Sequence, residues 1–592
     1  MRLQSRKALK FMFLYAWKNN KKYLLCIFSE QLLLFVLTIA SIIYPKWIIK
    51  YLFEDVNYTK TFISVILYIL LFFFLKTFAQ WFRTRFYIET YKLSKCFSMH
   101  MAEKYSKVQF QLLENVEISN LYDRTISCVY ENGFFGALEA TIVLIRELFV
   151  LISASIIIVN CSALVMFFTI CVSIFGFMFE LNLSKKNHDL EVQKITGNKI
   201  ISYLDSVNSD KLYAKEIRIN NLEKWIQNKL LLRFQDIKMI NKKINKNEMI
   251  SSNINSILSI IQMGSVYSIL TLYVIKKSYG ISYFTLCFNA VNQFAASLKD
   301  FFSGYIALTK MSLYIEDMDR FKDLPEMDET NCKKQKLNIS KGFTFEFCNV
   351  SFKYPNMQEY AVKDLNIKIS SNDKIALVGK NGAGKSTIIK LLLRLYKPTM
   401  GVILLNGTNI WDYRFEEYTE IFSAIFQDYK LLAMSIAENI TCNLAVVDDK
   451  ISESLKECGL YKKVEGLTDK EKTMLYREYN PNGIDLSGGE TQKLAMARAI
   501  YRDAPFIIMD EPTASLDPIS ERNLYESFDK RIKNKTILYI SHRLESVKFA
   551  NTIIVMNEGN LIEIGDHNSL ISMRGLYYSM YTTQAEYYKD GK

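Results

Sequence analysis

The sequence predicts a membrane α-helical domain of six long transmembrane helices, followed by an α/β domain. Three observations carry this. Long apolar runs with few charges fill the chain before about residue 315. Only two of the eight prolines, Pro45 and Pro325, precede residue 350, which suits long unbroken helices. From about residue 343 the pattern changes to short β-type runs alternating with helices, as in an α/β domain.

Composition narrows the classes. At 592 residues the chain has room for three or four domains. With 50% apolar residues concentrated in the first half, it is neither a wholly soluble enzyme nor a disordered chain. Ten cysteines without a CxxC pair and only four histidines give little support to a zinc or haem site, and no disulfide framework is expected. The net charge of +13 has two addresses: residues 1–22 carry +7 and residues 184–250 carry +6. Basic charge placed beside apolar spans sets topology on the cytoplasmic side and does not indicate nucleic acid.

The elements follow in order. Residues 1–22 read as a basic interfacial helix, with Leu3, Phe11, Leu14 and Trp17 on one face. No small-residue cleavage site follows the first apolar run, so no cleaved signal peptide is expected. A bilayer span needs about 20 mostly apolar residues. Tyr23 to Tyr44 qualifies, with Glu30 its only charge, and Thr61 to Leu75 is charge-free. Leu148 to Phe179 runs 32 residues without a charge, too long for one span, and reads as a hairpin turning near Asn160 to Ser162. Met249 to Ile275 and Ser278 to Leu298 complete a count of six. An even count with a cytoplasmic start returns the chain to the cytoplasm. The outer loops, near 45–60, 160–162 and 276–280, are short, whereas residues 84–140 and 184–248 should extend the helices far beyond the bilayer. The resulting division is a transmembrane domain at 1–320, a linker at 321–340 and a nucleotide-binding domain at 341–592.

Polar residues recur at helical spacing in the last two spans: Ser252, Asn255, Ser256, Ser259 and Gln262 in the fifth, and Asn289, Asn292, Gln293, Ser297 and Asp300 in the sixth. They read as a cavity lining or as helix–helix hydrogen bonds. Glu30, Arg146 and Glu147 lie in apolar spans, where unpaired charge is costly, and a Glu30–Arg146 contact is expected.

The chemistry sits in the second half. Lys374 to Val378 reads as a buried strand, Gly379 to Thr387 (GKNGAGKST) as a phosphate-binding loop, and Ile388 to Leu395 as a helix. Glycines turn backbone N–H groups toward phosphates and the helix start adds its dipole. Lys385 should reach the β- and γ-phosphates and Ser386 should hold Mg²⁺. A second buried strand, Phe506 to Asp510, ends in Asp510 and Glu511. Asp510 fits the Mg²⁺ shell, and Glu511 fits a base or water-positioning group. Leu486-Ser487-Gly488-Gly489-Glu490 precedes another helical run and makes a second anion site.

With these motifs in this order the chain resembles the ATP-binding-cassette (ABC) transporters, in the exporter-type half-transporter arrangement. The family signature usually reads LSGGQ, so Glu490 departs from it and suggests a brake on turnover. The resemblance implies further roles. Tyr354 matches the aromatic residue that stacks on adenine. Gly379, Asn381, Gly382, Gly384, Lys385, Ser386 and Thr387 match the ATP-binding loop. Gln427 matches the glutamine that touches Mg²⁺ and water, Asp517 the loop that communicates across the dimer, and His542 the switch histidine on the γ-phosphate. Glu511, His542 and Gln427 are therefore the expected catalytic set, and Ser386, Gln427 and Asp510 the expected metal set. Residues 213–223 look like the second coupling region and Asn115 to Asp123 like the first.

The resemblance implies an ATP- and Mg²⁺-dependent homodimer in the cell membrane of a bacterium, with its N-terminus and cassette cytoplasmic. A heterodimer is the alternative. Ser487, Gly488 and Gly489 would complete the ATP site of the other chain. A polar, mixed-charge lining suits an amphipathic peptide, as for bacteriocin exporters, with lipid bilayer as surroundings and no nucleic-acid partner. A lipid or multidrug exporter of the same fold is the alternative, followed by an importer of exporter shape or an ATP-gated sensor. Because the first span begins near residue 23, no peptidase domain is expected ahead of it.

Overall fold

The computed structural model describes residues 4–130, 133–161, 163–211, 213–277, 279–327, 337–339, 342–355, 357–442, 448–511, 535–541, 547–548 and 550–589. It divides into two compact units, residues 1–106 with 117–324, and residues 107–116 with 325–592.

The first unit is helical. Helix α1 spans Gln4–Asn19, α2 Lys21–Ile49, α3 Tyr58–Lys107, α4 Phe110–Leu113 and α5 Val116–Tyr130. Helix α6 spans Gly133–Cys161, α7 Ala163–Ser209, α8 Ala214–Ile219, α9 Glu223–Lys277 and α10 Ile281–Lys322. Helices α3, α7 and α9 run 50, 47 and 55 residues, so the long polar stretches do continue the apolar helices. Among the described residues five helices, α2, α3, α6, α7 and α9, are long and apolar enough to cross a membrane. The sixth expected span is the 42-residue α10, whose apolar stretch is interrupted by Asn289, Asn292 and Gln293 and which is not among these five. The turn expected near Asn160 falls between α6 and α7. The first outer loop is shorter than expected: α2 runs through Pro45, and a π-helical turn at Lys50–Glu54 follows it.

Helix α1 forms, but its apolar residues divide. Met12 and Ala16 are buried against Tyr23, Phe86 and Phe97, while Leu14 and Trp17 are half exposed. The expected Leu14–Trp17 stripe therefore faces outward, and a second, inward face anchors the helix.

The intramembrane charges pair differently from expectation. Arg83 of α3 donates to Glu139 at 2.6 Å and to Glu30 at 3.4 Å. Arg146 instead donates to Gln31 at 2.9 Å and pairs with Glu147. Glu30 thus takes its cation from Arg83, a residue that sequence reading left aside, while Arg146 bonds Gln31, one residue along α2. Removing one member of a buried pair leaves uncompensated charge and costs about 3–5 kcal/mol. Arg83→Met should therefore lower the thermal midpoint in nanodiscs, and adding Glu30→Gln and Glu139→Gln should recover most of it. An unchanged midpoint in Arg83→Met would contradict this pairing. Among the described residues six cysteines are free thiols, whereas Cys287 is disulfide-bonded, a bridge that cysteine spacing did not announce.

The second unit contains two sheets. Strands β1 (Thr344–Phe352), β2 (Val362–Ser370), β4 (Met400–Leu405) and β5 (Thr408–Asn409) form an antiparallel sheet in the order β2-β1-β4-β5. Strands β3 (Lys374–Gly379), β6 (Phe422–Ile425), β7 (Phe506–Asp510), β8 (Thr536–Ile540), β9 (Thr552–Asn557) and β10 (Asn560–Gly565) form a second sheet. Its order is β10-β9-β3-β8-β7-β6, parallel except at β10. Along β3, Ile375 and Leu377 enter one core cluster and Ala376 and Val378 another. That alternation buries both faces, as a parallel sheet requires. Among the described residues the helices of this unit are α11 (Lys385–Leu392), α12 (Phe415–Thr419), α13 (Ile436–Thr441), α14 (Asp448–Glu457), α15 (Tyr461–Glu465), α16 (Gly488–Arg502), α17 (His567–Met573) and α18 (Leu576–Lys589).

Residues 107–116 belong to this second unit, although the chain on either side belongs to the first. Val108 bridges Glu326, and the Gln109 N–H donates to the Pro325 carbonyl at 3.2 Å. The Phe110 ring, on α4, lies 5.7 Å from that of Tyr396, edge to face. The seated segment lies upstream of the expected Asn115–Asp123, most of which forms the separate helix α5.

Candidate nucleotide site

The site forms at the ends of the parallel strands β3, β7 and β6, with β8 lying between β3 and β7. Gly379 closes β3 and Gly384 caps α11, with φ of +154° and +95°. A Cβ at Gly379 would strike the Met556 carbonyl, and one at Gly384 the Ala361 carbonyl. Both positions need glycine for conformation and for space. Gly382 also has positive φ, +79°, but faces open space, and Asn381 beside it is exposed.

Lys385 is 6% exposed, and its ammonium donates to the Gly379 and Lys380 carbonyls, both at 2.9 Å. Burial pushes its pKa down, against the opposing pull of Glu511 and Asp510. The cation is thus held over its own loop, with its charge directed at the position where phosphates are cradled. Ser386 Oγ donates to Asp510 Oδ1 at 3.3 Å. Burial raises the Asp510 pKa, while Ser386 works against the rise. This hydroxyl and carboxylate form an oxygen donor pair that fits Mg²⁺, a hard cation usually bound through one or two carboxylates plus substrate phosphates. Among the described residues no group of three or more His, Cys, Asp or Glu could hold a metal, so phosphate oxygens would have to complete the shell. The ion would supply charge neutralisation across the phosphates.

Gln427, just after β6, donates from Nε2 to Glu511 Oε2 at 3.1 Å. Sequence order alone suggested this neighbourhood; the structure brings the two side chains into contact. Glu511 has φ +50°, the left-handed region, and its N–H donates to the Ile540 carbonyl at 3.2 Å. Such a conformation costs a non-glycine residue on the order of 1–3 kcal/mol and collects at functional sites. No sequence signal marks it.

Tyr354 is half-buried. Its hydroxyl hydrogen-bonds Thr387 at 3.0 Å, its ring meets Phe352 and Tyr396, and Lys390 lies 5.5 Å from its ring centroid. The expected adenine platform is thereby fastened to the phosphate loop. The sequence reading omitted Lys390; its place on α11 was readable, but its aromatic neighbour was not.

Ser487, Gly488 and Gly489 form a separate place, at the start of α16. Their hydrogen bonds run to Tyr429, Glu490 and Thr491. Glu490 closes a capping box with Ser487 and pairs with Lys463 at 2.5 Å. That ion pair and the Ser487 N–H hold the Glu490 carboxyl down at about 2. Asp517 and His542 lie outside the described residues.

In the first unit, two cavities of about 410 and 370 Å³ share Glu180, Asn255, Ser259 and Lys299 in their walls. All five polar residues singled out in the fifth span line one or both. Of the sixth-span set only Asn292 does; Ser297 is fully buried and receives a 3.4 Å bond from Gln293 along its own helix. The two patterns looked alike in sequence, but the first lines the cavities throughout, whereas the second contributes only Asn292 to them and buries Ser297.

Residues 362–514 match the family model of the ABC transporter. Over 496 residues the chain is 27% identical to the subtilin transport ATP-binding protein SpaT of Bacillus subtilis, an alignment covering 81% of this chain and 78% of that one. It is 33% identical over 303 residues to ATP-dependent lipid A-core flippase 2 of Colwellia psychrerythraea, and spans about half (51%) of that relative's length. A solved bacterial Atm1-family ABC exporter with ATP bound shares the fold, with TM-score 0.77 at 19% identity, covering 95% of this chain and 98% of the other.

Proposed function

The chain is a member of the ABC transporters, with membrane and nucleotide-binding halves fused in one polypeptide, and from that premise we propose that it is an ATP-driven exporter whose cargo is a peptide. The convergence of Lys385, Ser386, Gln427, Asp510 and Glu511 at one set of strand ends carries the ATPase part of this reading. Lys385 and the loop N–H groups bind and orient phosphates. Ser386 and Asp510 take Mg²⁺, and Gln427 holds the Glu511 carboxylate where it can orient water and accept its proton. Tyr354 stacks on the base. His542 and Asp517 complete the set in this proposal.

A single chain offers one cassette, and Ser487 to Gly489 make their own bonds away from Lys385. Two copies facing each other would give each phosphate loop the other's signature. Residues 107–116 would transmit closure within the chain. The exposed α8, which follows exposed Tyr213 and ends on exposed Ile219, would dock on the second copy. Closure of the cassettes would reorient the helices, and the six spans would keep both termini cytoplasmic.

Peptide is the preferred cargo because the cavities put amides and hydroxyls beside Phe177, Phe302, Glu180 and Lys299, a mixture that matches polypeptide better than an acyl chain. The relative named for the transport of subtilin, a bacteriocin, agrees with this. The relatives named as lipid A-core flippases favour a lipid instead, on a shorter alignment. ATPase measurements in nanodiscs separate the two. Stimulation by amphipathic peptides, lost in Asn255→Leu, is the expected result. Stimulation only by lipids, with peptides inert, would reassign the cargo.

A further inference from the structure

We infer that Lys463 is a positioning residue for ATP turnover: by pairing with Glu490, it keeps that carboxylate from opposing the phosphate that the signature must receive. This rests on the reading that Ser487 to Gly489 face the ATP of the second copy.

The observation is an acid at a helix start that has to accept an anion. A helix N-terminus offers about half a positive charge and free N–H groups. Glu490 sits at the third position of α16 and takes part of that offer for itself. One of its oxygens accepts from the Ser487 N–H at 2.9 Å, and its own N–H donates to Ser487 Oγ at 3.4 Å. Left alone, it would set a full negative charge beside the incoming γ-phosphate. Its other oxygen is instead bound by Lys463 Nζ at 2.5 Å, from α15, twenty-seven residues upstream. The lysine is fixed there by packing. Leu460 and Val464 on either side of it are buried in the core, and Lys463 itself lines a narrow apolar gap with Ile484, Leu486 and Leu494. The pair therefore converts a repulsive substitution into a neutral one and draws the carboxylate toward α15. The departure from the LSGGQ pattern is compensated within the same chain, so the brake that Glu490 alone would impose is released.

The test uses the full-length protein in nanodiscs, with ATPase activity read against ATP concentration at low and high salt. Lys463→Met should raise KM for ATP on the order of tenfold, the size of an uncompensated near-surface charge, with a smaller change in kcat. The defect should shrink in 0.5 M KCl, where charges are screened within a few ångströms. Glu490→Gln in the Lys463→Met background should restore KM to within about twofold of the parent, because the charge needing a partner is gone. A lysine that served only the fold would give a salt-independent defect that Glu490→Gln does not rescue. A wild-type KM in Lys463→Met, or a double variant as impaired as the single one, overturns the inference. Glu511→Gln is measured alongside: loss of turnover there together with a wild-type Lys463→Met refutes only the inference, whereas turnover surviving in Glu511→Gln overturns the ATPase reading beneath it.

Discussion

Glu511→Gln is expected to lower ATP turnover by about 10²- to 10⁴-fold, the range a positioned general base supplies, while nucleotide binding persists. The amide is the same size, can still meet Gln427, and leaves Lys385, Ser386 and Asp510 in place. It cannot take a proton from water. The left-handed backbone at Glu511 belongs to the same argument: strain is held there by the bond from its N–H to Ile540. Glu511→Gly should relieve that strain without restoring turnover, since the carboxylate is what the reaction uses. Steady-state hydrolysis and nucleotide binding by the same preparation check both variants. Equal losses of binding and turnover in Glu511→Gln would show that the residue serves the site's structure and not its chemistry.

Lys385→Ala should act at the other step. A hydrogen bond to a charged group contributes roughly 1.5–3 kcal/mol, so loss of this cation should weaken ATP binding about 10- to 100-fold. The side chain also ties down the Gly379 and Lys380 carbonyls, so the loop itself should loosen. Lys385→Arg should not rescue: the guanidinium is larger and planar, and the 6%-exposed position has no room for it. Binding measured directly, by calorimetry with a non-hydrolysed ATP analogue, separates this loss from the catalytic loss at Glu511. Unchanged affinity in Lys385→Ala would remove the lysine from the phosphate site.

Much of the cassette was legible in the sequence, because its signals are local. A buried strand, a glycine loop and a helix start lie within about twenty consecutive residues, and backbone geometry forces Lys385 and Ser386 into place. Asp510 and Glu511 were legible for the same reason, as the end of a fully apolar strand. What escaped depends on distant partners. Glu30 finds Arg83 from 53 residues away, and Glu490 finds Lys463 across a separate helix. Neither pairing has a sequence signature, since any nearby cation satisfies an acid. The polar stripes of α9 and α10 show the limit in another way. Both have helical spacing, yet only neighbouring helices decide whether a serine meets a cavity, as Ser259 does, or packing, as Ser297 does. That residues 107–116 belong to the second unit was not legible for a similar reason. Polar helices 84–140 look uniform in sequence, and the Phe110–Tyr396 contact marks the seat only once the fold is formed.

The central claim, ATP-driven export of a peptide, is tested most directly by uptake of labelled amphipathic peptide into inside-out membrane vesicles containing the protein. The account predicts peptide accumulation that requires ATP and Mg²⁺ and is absent in vesicles carrying Glu511→Gln. Lipid translocation with no peptide accumulation, or peptide uptake that persists in Glu511→Gln, would contradict it.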